Sequence, residues 1–90
     1  MRIDRFLFFI RLAKSRTLAQ RIIDAGHVRL DGKRVEKPSE DVRVGSTIAL
    51  PLNEKVRVLR VLSLPTRRGP ASEARACYEE LGVDEPSPRS

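Results

Sequence analysis

Ninety residues make one small domain, too short for two independent cores. The composition is basic, net +6, with one cysteine, and it holds no apolar run near the ~20 residues of a membrane span, which excludes a disulfide framework and a transmembrane helix. The N-terminal run MRIDRFLFFIRLAKSR is interrupted by Arg2, Asp4, Arg5 and Arg11 too closely for a signal peptide, and a lone Cys77 fits a reducing, cytoplasmic setting.

In chain order, Asp4 stands where an N-cap would open a first helix over about Arg5 to Ala13. At 100° per residue Phe6, Phe9, Ile10 and Ala13 share one face, while Phe8 and Leu12 fall on the other, so two different parts of the chain are expected to pack on it. Ser15 caps a second helix, about Arg16 to Ala25, with Gly26 as its left-handed stop. Leu18, Ala19, Ile22, Ile23 and Ala25 take one half of its wheel; Arg16, Thr17, Gln20, Arg21 and Asp24 take the other. The short Lys14-Ser15 joint predicts an antiparallel-like or bent helix pair.

The run from His27 to Glu36 is a hairpin turning at Asp31-Gly32, a pair suited to the two positive φ values of a type I′ turn. That register sets Leu30 opposite Lys33, Arg29 opposite Arg34 and Val28 opposite Val35, with Pro38 ending the second strand. Two more strands follow, Thr47 to Leu52 and Lys55 to Leu62, and broken alternation at Val58-Leu59 predicts a bulge or bend. After a linker over residues 65–70, Ala74, Cys77, Tyr78 and Leu81 recur at helical spacing. They predict a third helix ending at Gly82, placed to cover the second face of helix one, with Cys77 as a buried small hydrophobe. The domain division is 1–62 for the main unit, 63–83 for linker and third helix, and 84–90 for a disordered tail.

Charge is unevenly placed. Residues 1–37 carry 10 Lys/Arg against 4 Asp/Glu, residues 38–62 carry 4 against 3, and residues 63–90 carry 4 against 5. An excess confined to one unit is the footprint expected for a polyanion. Lys14 and Arg16 sit at a helix start, where cations oppose the macrodipole but free N–H groups and Ser15 suit a phosphate. Arg29 and Arg34 oppose one another across the hairpin, a like-charge pair that costs stability. Gln20 and Arg21 extend the polar strip away from the helix start. His27 has no second histidine or paired cysteine for a metal, Asp4, Asp24 and Asp31 have cap, surface and turn roles, and no phosphate-binding glycine loop occurs.

Arg2, Asp4, Phe6, Leu7, Arg11, Lys14, Ser15, Arg16, Ala19, Ile23, Gly26, Val28, Asp31, Gly32, Val35, Lys37 and Pro38 together resemble the S-four RNA-binding domain, named after the small-subunit ribosomal protein four. The tail RRGPASEARACYEEL looks like the C-terminal extension of the fifteen-kilodalton heat-shock protein family. Phe6 and Phe8 stand where those heat-shock relatives tend to carry Trp, and the tail here is short and nearly neutral.

The resemblance implies an α+β fold, two N-terminal helices on a small, mostly antiparallel sheet plus a C-terminal helix, with an L-shaped basic surface. By position, Arg11, Lys14, Ser15, Arg16 and Gln20 would meet phosphates and sugars, joined by Arg21 on the same strip, and Arg29, Lys33, Arg34 and Lys37 would extend the surface across the hairpin. The implied partner is ribosomal RNA, in particular a free large ribosomal subunit still holding a nascent chain on tRNA. No enzyme activity, cofactor, metal or membrane is expected, and the chain is expected to be a monomer with only weak non-specific DNA binding. Two alternatives are the targeting module of a pseudouridine synthase, against which the lack of a catalytic constellation after Leu62 argues, and a DNA-binding regulator, which would need a dimer interface.

Overall fold

A computed structural model describes residues 1–52 and 54–84. Helix α1 is Ile3–Phe9 and α2 is Arg16–Asp24. Strands β1 (Arg29–Leu30), β2 (Lys33–Arg34), β3 (Thr47–Leu52) and β4 (Lys55–Val61) follow, then a short helix α3 (Ala71–Arg75) and strand β5 (Tyr78–Asp84). The strands form one antiparallel sheet in the order β2-β1-β3-β4-β5. The α+β class and both N-terminal helices agree with expectation.

Local chemistry explains most of these elements. Ser15 is extended and its Oγ accepts from Leu18 N at 3.0 Å, opening α2, and Gly26 at φ +88 closes it. Asp31 at φ +52 and Gly32 at φ +84 make the two-residue turn, and the register is the expected one, Arg29 opposite Arg34 and Leu30 opposite Lys33. Val35 N donates to Val28 O, and both side chains are buried. The β4–β5 register shifts between Val58 and Leu59, where alternation broke in the sequence.

Alternation along the sheet puts Ile48, Leu50, Leu59 and Val61 on a buried face. They join Ile3, Phe6, Leu7 and Ile10 from the N-terminal helix and its joint, Ala19 and Ile23 from α2, and Ala74 and Cys77 from the C-terminal segment in one core. Residues 38–42 close the structure beside α1, with Ile3 N donating to Glu40 O at 2.8 Å and Arg2 bridged to Asp41.

Three expectations are corrected. First, Asp4 is not the N-cap; Arg2 holds that position without a side-chain cap bond, and Asp4 lies buried inside the first turn. Second, α1 stops at Phe9 rather than Ala13, because Arg11 enters the left-handed region at φ +67 and Leu7 O takes bonds from both Leu12 N and Ala13 N. The joint is therefore residues 10–15, and it still buries Ile10 and Ala13.

Third, the C-terminal helix is present but covers only Ala71–Arg75; from Tyr78 the chain is a strand. The open edge of β4 outcompetes a helical pattern by offering a full ladder of backbone partners. Arg57 then meets Glu80 in a two-pronged pair at 3.0 and 2.7 Å, and Arg60 meets Glu79 at 3.0 Å. Leu81, assigned to the helical stripe, is instead 43% exposed. Cys77 is buried as expected. The linker, not the helix, covers Phe8: Arg68 stacks its guanidinium 4.7 Å from the ring centroid and donates from Nε to Phe8 O at 3.0 Å. Of the tail expected to be disordered, residues 85–90 lie outside the described residues, and the backbone of Asp84 ends β5.

Candidate nucleic-acid interface

The site begins with a carboxylate that carries no obvious function in the sequence. Asp4 has no solvent exposure, and its two oxygens gather groups from α1 and α2. Arg2 donates from Nε and Nη2, each at 3.0 Å; Gln20 donates from Nε2 at 2.9 Å; Arg5 N donates at 2.7 Å. Arg16 Nη2 lies 3.7 Å away. Burial pushes the Asp4 carboxyl up, but the hydrogen bonds from Arg2 and Gln20, the Arg2 charge and the Arg5 N–H together outweigh it and hold the group below the usual carboxylate range. Asp4 therefore stays ionised and positions Arg2, Arg16 and Gln20 around the start of α2.

This arrangement revises part of the reading of Arg16. Its position at a positively polarised helix start is compensated by Asp4, so the cost there is smaller than the helix alone would impose. Gln20 is a positioning group, half-buried, with its amide engaged by Asp4. Arg11 is also engaged: its Nε donates to Gly69 O at 2.7 Å, tying the α1–α2 joint to the linker.

The hairpin supplies the second cluster. Arg34 stretches along the end of α2, where a Cβ built on Gly26 would lie 3.8 Å from its Nη1, and Arg34 and Val35 share a cleft with Ile23 and Asp24. Arg29 and Arg34 stand directly opposed on one face of the hairpin, whereas Lys33, paired with Leu30, projects from the other. The hairpin cations thus do not form a single plane.

Partnering separates the cations more sharply than position does. Among the described residues, Lys14, Arg21, Arg29, Lys33 and Lys37 make no side-chain hydrogen bond or ion pair, and all five are exposed. Farther along the chain Arg43, Arg57, Arg60 and Arg67 are each paired, with Asp41, Glu80, Glu79 and Glu73. The C-terminal acidic residues thus neutralise arginines of β4 and the linker, and the excess charge stays on the first 37 residues. Asp4 and Arg2 were missed as site residues; the only signal was the Arg-x-Asp spacing, which does not reveal a partner 16 residues on.

Among the described residues no group of three or more His, Cys, Asp or Glu side chains could hold a metal ion, and no helix is long and apolar enough to cross a membrane.

Two helices and a hairpin bearing an unpaired cationic strip, mounted on an antiparallel sheet, define a polyanion-binding domain. A family model described as the S4 domain matches residues 1–48, and the chain belongs to this family of RNA-binding domains. Heat shock protein 15 of Escherichia coli (strain K12) is 38% identical over 80 residues, which take in 89% of this chain and 59% of that protein. Small ribosomal subunit protein uS4 of Limosilactobacillus fermentum is 36% identical over 83 residues, 92% of this chain and 39% of the relative. The trimeric structure of Vibrio cholerae Heat Shock Protein 15 superposes with a TM-score of 0.84 at 31% identity, covering 89% of this chain and 80% of that one. The chain therefore spans 59% of the first of these curated relatives and 39% of the second, under two thirds of either.

Proposed function

We propose that this protein binds ribosomal RNA through the α1–α2 joint, the polar face of α2 and the hairpin, and that it acts by binding rather than by catalysis. One observation carries the reading: Lys14, Arg21, Arg29, Lys33 and Lys37, exposed and without side-chain partners, all lie within the segment that matches the S4 domain, while acidic residues elsewhere are spent on Arg57, Arg60 and Arg67. Lys14, Arg16, Arg21, Arg29, Lys33, Arg34 and Lys37 hold the phosphate backbone; Ser15, whose Oγ accepts from Leu18 N, shapes the helix start and keeps its O–H to donate to a phosphate. Arg11 and Gln20 orient the surface and reach RNA through their remaining donors. Residues 1–62 form the binding unit, and residues 63–83 brace it.

Similarity to heat shock protein 15 along most of the chain favours the free large ribosomal subunit, carrying a nascent chain on tRNA, as the physiological target in the cytoplasm. Such a surface reads RNA shape and backbone more than sequence. Co-sedimentation on sucrose gradients tests the assignment. The protein is expected to travel with free large subunits, and more so when peptidyl-tRNA is bound; equal travel with small subunits would overturn it. The Vibrio cholerae relative is described as trimeric, whereas a monomer is the state proposed here, and sedimentation velocity of the free protein separates the two.

A further inference from the structure

The open face of the sheet carries a cleft of about 420 Å3, floored by Ala49, Pro51, Val56 and Val58 and walled by His27 and Arg29. Strand register explains its make-up. Arg34, Arg29, Ala49, Val58 and Gly82 form one cross-strand row, on the side opposite the buried Ile48 and Leu59. The row begins with two cations, crosses an apolar floor and ends at a glycine where even a Cβ would meet nothing within 4 Å. The volume falls in the ~300–1,000 Å3 range of small-ligand clefts. Val56, on the floor, is 37% exposed.

The charged end of the row is under electrostatic stress. Arg29 and Arg34 are opposed, Arg29 has no side-chain partner among the described residues, and Arg34 has only Glu36 at 3.9 Å between exposed side chains. An anion seated on Arg29 would relieve that repulsion. A purely apolar partner seated on the floor would leave it in place. A nucleotide fits both ends at once, with a flat base for the floor and the His27 ring, and a phosphate for Arg29.

We propose that this cleft holds one unpaired nucleotide of the bound RNA, its base over Ala49, Pro51 and Val58 and its phosphate on Arg29, the cation that walls the cleft, on the side that Arg34 faces across the hairpin. The proposal rests on the RNA-binding reading and deepens it, turning a backbone-reading surface into one that also prefers an unstacked base. A base locked inside a duplex cannot enter the cleft, so the preference is for bulges, loops or single-stranded ends beside a helix.

Two RNA probes test this: a fully paired, blunt-ended two-strand stem, and the same stem with one bulged 2-aminopurine. The protein is expected to bind the bulged probe about tenfold more tightly and to change the 2-aminopurine fluorescence. Ala49→Leu fills the floor without altering charge, and Val58→Gln makes it polar; each is expected to abolish the preference. Equal affinity for both probes, or a preference that survives both variants, would overturn the cleft assignment while binding to the paired stem leaves the RNA-binding reading intact. Failure to bind either probe would instead overturn that reading itself. If the free protein self-associates and Ala49→Leu dissociates it, the face is an interface between copies and the nucleotide proposal falls.

Discussion

The buried Asp4 carboxylate accepts a 2.9 Å hydrogen bond from Gln20 Nε2, fastening α1 to the polar face of α2. The same oxygen takes Arg2 Nη2 at 3.0 Å and stands 3.7 Å from Arg16 Nη2. A group that repels RNA thus orders the side chains expected to bind it. Asp4→Asn removes one negative charge, so an account based on total charge predicts tighter RNA binding. The geometry predicts the reverse, a several-fold weaker affinity together with a stability loss of about 1–3 kcal/mol, as expected when charged hydrogen-bond partners are stranded. RNA titration and thermal unfolding of the same variant check both halves.

The pH dependence follows from the same group. The folded state holds the Asp4 carboxyl below its ordinary value, so its contribution is fully present above the unfolded value of about 3.9 and is lost as pH falls through the folded one. Glu80, also held low by its bonds to Arg57, behaves alike. The stability difference between the parent and Asp4→Asn isolates the first group. It is expected to stay constant from neutral pH down to about pH 5 and to shrink below about pH 4. Denaturant unfolding at a series of pH values measures it.

Arg68 binds Phe8 twice, by the ring face at 4.7 Å and by the carbonyl at 3.0 Å. Arg68→Ala is expected to cost about 1–2 kcal/mol in urea unfolding, the sum of a half-exposed cation–π contact and one charge-assisted hydrogen bond. Arg68→Lys keeps the charge but cannot make both contacts, so it should recover less than half of that loss. Full recovery by lysine would show that charge, not the linker contact, matters at this position.

What the sequence discloses depends on how local the cause is. Ser15, Gly26 and Asp31-Gly32 announce their elements because each acts on its own few residues, and so α2 and the hairpin register were legible. The end of α1 was not, because an arginine takes a left-handed conformation that nothing nearby demands; its Nε is held by a carbonyl 58 residues away. Strand β5 was hidden for a related reason. Ala74, Cys77, Tyr78 and Leu81 keep helical spacing, but the edge of β4 and the cross-strand Arg57–Glu80 and Arg60–Glu79 ion pairs override it. The cationic residues of the interface were visible as a charge excess. Their division into unpartnered cations and positioned ones was not, because it depends on a buried carboxylate from another helix.

The central claim is that exposed cations of the first 37 residues grip an RNA backbone, and its most direct test is affinity for a structured ribosomal RNA fragment as a function of salt. The logarithm of the binding constant should fall linearly with the logarithm of salt concentration. Substituting Lys14, Arg21 or Arg29 singly with Ala should lower the steepness by somewhat under about one unit each, and Arg75→Ala, an exposed cation outside the interface, should leave it unchanged. A slope that is shallow from the outset, or that drops equally for Arg75→Ala, would contradict the assignment of RNA binding to this surface.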